Sequence, residues 1–259
     1  MHATHTLTSP ATPTPSMPVH PVAAHQVAPR RAALVAGGGY VGLFVLAILA
    51  NFLVLERLVV ADDPMATLAN IAASPGQFRL GIAAFLVIAV IDVVVAWALH
   101  VLLREVSPDR SLLSAWFRVL HSVFLGVGLA FLSQVDHLVA AAGGATGATA
   151  ESTAAQVMTA LDTFDTMWMV GLAFFGLHLI AVATLLVGRH TAPRVLRVVL
   201  VAAGVAYIVD TIAFTTLADY DSVAAVMLAI VALPSVLGEG WFGLWLFTRG
   251  GRQAGASAA

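Results

Sequence analysis

Six long apolar segments dominate this chain, at residues 32–59, 78–103, 112–139, 157–187, 194–217 and 222–248. Each can cross a hydrocarbon core of about 30 Å at about 1.5 Å per helical residue. Oil offers no partner to a free backbone N–H or C=O, so such spans must close their hydrogen bonds as helices or as a sealed barrel. The runs lack the two-residue alternation of barrel strands. The predicted fold is therefore all-α, an integral membrane bundle of six transmembrane helices. Composition agrees: 60% of the 259 residues are hydrophobic and 10% are charged, against about 25% charged in soluble domains. Mean hydropathy is +0.94.

Residues 1–29 are rich in Pro, Thr, Ala and His and show no apolar period. They read as a disordered cytoplasmic tail whose His2, His5, His20 and His25 are scattered, solvated imidazoles. Residues 30–249 form the predicted membrane domain, and 250–259 a second short disordered tail. Arg30-Arg31 resembles a twin-arginine signal, but the segment behind it is too long for a signal core and five more spans follow.

Arginine placement sets the threading, because short cytoplasmic loops carry the positive charge. All twelve basic residues are arginine, and ten fall on one side: Arg30, Arg31, Arg104, Arg110, Arg118, Arg189, Arg194, Arg197, Arg249 and Arg252. Arg57 and Arg79 fall on the other, with Asp62, Asp63, Glu151, Asp219 and Asp221. Both termini are thus predicted to be cytoplasmic. Absence of lysine, with many alanines and valines, is the composition of a high-GC bacterial chain, so the expected location is a bacterial plasma membrane. A net charge of −2 without a basic cluster leaves no basis for nucleic-acid binding; the expected partner is the lipid bilayer. The chain has no cysteine, which removes disulfides and thiol chemistry. No cofactor motif is present: "GGGY" (37–40) follows no strand and has no partner lysine, so it is not a phosphate loop.

Between the first two spans, Asp63 reads as an N-cap and Pro64 as the first residue of a short surface helix ending near Pro75-Gly76. The 3–4 connection, "AAGGATGATAES", reads as small and flexible.

Charge at bilayer depth costs about 2.5–3.5 kcal/mol per residue, so polar groups there turn inward and find partners. Counted from the cytoplasmic helix ends at about 1.5 Å per residue, His121, His178 and Glu239 lie about 14 Å deep and Asp92 about 18 Å. These four form a candidate buried polar cluster. Tyr207 and Asp210, three residues apart on one helical face, form a second candidate site. Asp162, Asp165, Asp136, His137, Glu56 and Arg57 are assigned to headgroup zones. Trp97, Trp116, Trp241 and Trp245 are assigned to the cytoplasmic interface, and Trp168 to packing. Pro234, Gly238, Gly240 and Gly243 flank Glu239 and should bend or loosen the sixth helix.

Three functions suit this pattern. The first is a non-enzymatic membrane protein whose polar layer serves packing or sensing. The second is a small proton-coupled or solute transporter. The third is an intramembrane metal-dependent enzyme using His121, His178 and Glu239, since two imidazoles and a carboxylate can hold zinc with one open position. No catalytic residue is singled out.

"FFGLHLIAVATLLVGRHTAPRVLRVVLVAAGVAYIVDT" (174–211) resembles the fourth and fifth helices of a bacterial membrane family catalogued as domain of unknown function 4386. Its recurring positions fall on Gly176, His178, Leu179, Pro193, Arg194, Tyr207 and Asp210. The second segment resembles the family's through Phe78, Arg79 and Asp92, and "SLLSAWFRVLHSV" and "LGEGWFGLWLFTRG" are similar to its third and sixth. The chain departs at Ala183-Thr184, where the family has Gly-Tyr, at Arg197, where it often has Gly, and at His121, where it has an aromatic. The resemblance spans about residues 31–250 and implies a six-helix inner-membrane protein. It implies no activity.

Overall fold

The computed structural model describes residues 28–51, 55–189 and 191–252. Residues 1–27 of the first expected tail, with all four tail histidines, and 253–259 of the second lie outside the described residues. Among the described residues all regular structure is helical. The elements are α1 (Pro29–Ala50), α2 (Glu56–Leu58), α3 (Pro64–Ala73), α4 (Pro75–Leu103), α5 (Pro108–Ala142), α6 (Ala148–Leu185), α7 (Arg194–Thr216) and α8 (Asp221–Thr248). Six of them, α1 and α4 to α8, are long and apolar enough to cross a membrane. The chain is an all-α, multi-pass membrane protein.

Proline starts α1, α3, α4 and α5, where its missing N–H has no intrahelical partner to lose. Asp63 Oδ1 accepts from the Ala66 backbone N–H at 2.8 Å, so the short surface helix α3 is capped as its sequence suggests. Gly143 closes α5 at φ 50°, a left-handed cap that disfavours a Cβ. One boundary differs from expectation. The stretch read as a flexible 3–4 connection is already helical from Ala148, so Asp162 and Asp165 lie well inside α6 rather than at its start. With 38 residues, α6 is about 57 Å long and must project beyond a core of about 30 Å. On the first span, helix is described over Pro29–Ala50 and again over Glu56–Leu58, next to the expected end at residue 59, with 52–54 outside the described residues.

The spanning helices form a ring in the order α1, α4, α5, α6, α7, α8, with α8 returning to α1. The α8–α1 seam is the thinnest of the six. On the side that carries the described chain ends, Arg30 laces this seam. Its guanidinium donates to Leu246 O at 3.0 Å, Gly250 O at 2.9 Å and Phe247 O, a cation on the carbonyl end of α8. Backbones come into close contact where α6 crosses α7. A Cβ on Gly176 would meet Gly204 O at 2.5 Å, and one on Gly204 would meet Gly176 O at 2.5 Å. Small residues at such crossings bring backbones together without help from water.

Two apolar cores result. One, near the chain ends, joins α1, α4, α6, α7 and α8 through residues such as Ala36, Leu99, Leu102, Leu179, Leu200 and Phe242. The other, on the far side, joins α1, α3, α4, α5 and α6 through Ile71, Phe78, Phe85, Leu132 and Phe164. α8 contributes nothing to the second, and its first turns are largely exposed. The polar side chains lie between the two cores.

Candidate functional site

The centre of the polar layer is Arg118, fully buried on α5 about ten residues from Pro108. Its Nη2 donates to Asp92 Oδ1 at 2.6 Å, and its Nη1 to Tyr40 Oη at 2.8 Å and His178 Nε2 at 3.2 Å. The guanidinium carbon also lies 4.8 Å from the Tyr40 ring centroid and 5.0 Å from that of Phe175, close enough for cation–π attraction. The other Asp92 oxygen faces His121 Nε2 at 3.3 Å. Asp92 therefore has one cation or imidazole at each oxygen, which is how a carboxylate persists in a low-dielectric interior.

The hydrogen bonds define the tautomer of His178. Its Nδ1 lies 2.9 Å from Ser114 O and 3.0 Å from Ser114 Oγ. A carbonyl only accepts, so Nδ1 carries the hydrogen and Nε2 offers its lone pair to Arg118. The "Gly-Leu-His-Leu" motif thereby acquires a physical reason. Gly176 faces α7 for close approach, and His178, about 200° further round the helix, faces α5. Gly171, earlier on α6, does the same for His121: a Cβ there would come 3.1 Å from His121 Nδ1.

Across a cavity of about 540 Å³ stands Glu239 on α8. Its Oε1 accepts from Tyr207 Oη at 3.0 Å. One turn earlier Ser235 bonds back to Val231 O, next to Pro234, which supplies no N–H to the helix. Asp92, Arg118, His121 and Glu239 all line this cavity, with Tyr40 and Tyr207. Around the ring, α1 supplies Tyr40, α4 Asp92, α5 Arg118 and His121, α6 His178, α7 Tyr207 and α8 Glu239. Each spanning helix thus contributes a polar side chain to one layer.

Of the four residues proposed from depth, Asp92, His121 and His178 meet around Arg118, and Glu239 faces them across the cavity. Tyr207 and Asp210 do not share a site. Tyr207 turns to Glu239, while Asp210 Oδ1 accepts from Tyr220 Oη at 2.8 Å. Tyr220 lies in the α7–α8 connection, outside the spans, and burial followed by the bond to Asp210 pushes its phenol up to about 12. The metal set His121, His178 and Glu239 is not assembled. Among the described residues no three His, Asp or Glu side chains are grouped to hold an ion. The His178 nitrogen nearest the layer's centre is already opposed by a guanidinium, which would repel a second cation.

Two assignments need correction. Arg118 is not a cytoplasmic flank but the hub of the layer, so nine arginines, not ten, support the threading. The clue was in its spacing: Ser114, Arg118 and His121 are separated by four and three residues, which places them on one helical face. Trp245, near the end of α8, turns into the bundle rather than toward lipid. It is 3% exposed, donates from Nε1 to Thr191 O at 3.0 Å and stacks on Phe242. Tyr40 was missed because its glycine-rich setting invited comparison only with a phosphate loop. Two of those glycines serve packing instead: a Cβ on Gly37 would meet Leu246 and Phe247 of α8, and one on Gly39 would meet Val95 of α4. On the far side, Arg79 Nε pairs with Asp136 at 3.0 Å.

Comparison with curated proteins and with solved structures finds no match. The family model described as Domain of unknown function (DUF4386) matches residues 35–250, which takes in all six spans in whole or in large part, and the chain belongs to that family.

Proposed function

We propose that the protein is a multi-pass plasma-membrane protein, with both termini cytoplasmic, whose polar layer forms a binding chamber for a small ligand that it senses. The observation that carries this reading is the cavity, which reaches Asp92, Arg118, His121 and Glu239. Its volume falls within the range of about 300–1,000 Å³ typical of small-molecule sites. A layer serving packing alone would be sealed. Proton relay is less well supported. The path from the cavity toward the chain-end side runs through Asp92, Arg118, His178 and Ser114, and a guanidinium does not release its proton. Nine arginines on the side of the chain ends support the threading.

Proteoliposomes loaded with a pH-sensitive dye test sensing against transport. The expected result is no proton flux above empty vesicles in the parent protein, Asp92→Asn or Glu239→Gln. Flux that these substitutions abolish would make the protein a carrier. Because the chain has no cysteine, single introduced cysteines report access and side without background. Ser235→Cys should react with a membrane-permeant maleimide; a cysteine there that resists the reagent until the protein unfolds would mean a sealed layer. Arg252→Cys, at an exposed position, should react with an impermeant one in sealed inside-out vesicles, and labelling only from the opposite face would invert the threading.

A further inference from the structure

The cavity holds an imbalance of charge. Arg118 and Asp92 neutralise each other at 2.6 Å, and the second Asp92 oxygen is occupied by His121. The Arg118 donors in use point to Asp92, Tyr40 and His178, and none of the ion pairs found among the described residues involves Glu239. Among the described residues Glu239 has the neutral Tyr207 hydroxyl as its hydrogen-bond partner. It is half-buried, about nine residues from the Thr248 end of α8 and so about 14 Å deep. A carboxylate at such depth calls for a cation or a proton.

The mouth of the cavity says where that cation comes from. It is flanked by Val41, Phe44 and Val45 of α1 and by Val236 and Leu244 of α8, which are 49–60% exposed. No charged side chain stands among them. A solute arriving from water would meet no polar group there, whereas the tail of an amphiphile would meet a surface like its own. The opening lies at the thinnest helix seam of the ring, beyond the Arg30 clamp that closes that seam at the chain ends.

Resting on the binding-chamber reading, we propose that the ligand is a single-tailed lipophilic amine. It would reach the cavity sideways from the bilayer, with its ammonium head on Glu239 and its tail lying between α1 and α8. The ammonium supplies the positive charge that the cavity lacks, and the Tyr40 and Tyr207 rings offer further attraction to it. The apolar mouth accepts the chain without requiring the ring to open.

Photolabelling in nanodiscs tests this. Three probes share a decyl chain ending in a diazirine and differ only in head: trimethylammonium, hydroxyl or sulfonate. Labelled peptides of α1 (41–45) and α8 (236–244) are quantified by mass spectrometry against probe concentration. The ammonium probe is expected to saturate at least tenfold lower than the other two. Glu239→Gln should erase that difference while leaving the thermal unfolding midpoint in place, and Glu239→Asp should keep part of it. Equal saturation by all three heads, or preference for the sulfonate, overturns the amine proposal while the chamber reading stands. A preference that survives in Glu239→Gln overturns the role of Glu239. Absence of saturable labelling by any probe removes the chamber itself.

Discussion

Asp92 and Glu239 are two carboxylates in one membrane layer, on opposite sides of one cavity, and they are treated differently. Asp92 is 2% exposed, ion-paired at one oxygen and faced by an imidazole at the other. Glu239 is half-buried and bonded to a single neutral hydroxyl. The distinction follows from the helices that carry them. α4 takes part in both apolar cores, whereas α8 takes part in only one. A carboxylate on a packed helix must be saturated by its neighbours. One on an open helix can keep bonding capacity for something that arrives. Asp210 is intermediate, 7% exposed and, among the described residues, accepting from the Tyr220 hydroxyl.

The largest expected effect comes from removing the saturating partner. Arg118→Leu leaves Asp92 as an uncompensated buried acid and should cost about 3–5 kcal/mol, read as thermal unfolding in nanodiscs. Replacing both partners, Asp92→Leu with Arg118→Leu, should give a more stable protein than the single variant, because no charge is stranded. A double variant less stable than the single would break the comparison.

A smaller effect is expected at Asp210. Tyr220→Phe removes the hydroxyl that donates to Asp210 and should cost about 1.5 kcal/mol, less than Arg118→Leu but more than changes at Glu239. The same contact implies a pH window. The free phenol titrates near 10 and the folded one near 12. Between these values the folded protein keeps a proton that the unfolded chain has released, so stability falls as pH rises through that window. Unfolding midpoints across it should decline in the parent and decline less in Tyr220→Phe; parallel curves would remove the phenol as the cause.

The smallest effect belongs to Glu239→Gln. The amide oxygen can still accept from Tyr207, so a change below about 1 kcal/mol is expected. A loss as large as that of Arg118→Leu would show that Glu239 is as structural as Asp92.

Much of this was legible in the chain. Apolar length alone specifies helices in oil, because each span must satisfy its own backbone, and the six spans follow to within a turn or two at most ends. Depth counting also placed Asp92, His121, His178 and Glu239 in one layer, since rise per residue is a local property. What counting could not supply was rotation. Whether Arg118 faces headgroups or the bundle depends on which way α5 is turned, and that is decided by packing against α4 and α6. The same holds for Tyr207, three residues from Asp210 yet turned to another helix, and for Trp245, which docks on Thr191. The sequence by itself determined that the chain lives in a bilayer as six helices with ionisable groups at one depth. Only the tertiary structure decided which acid is neutralised and which is left facing a cavity, because pairing across helices depends on their relative rotation and separation, and neither is encoded in any single segment.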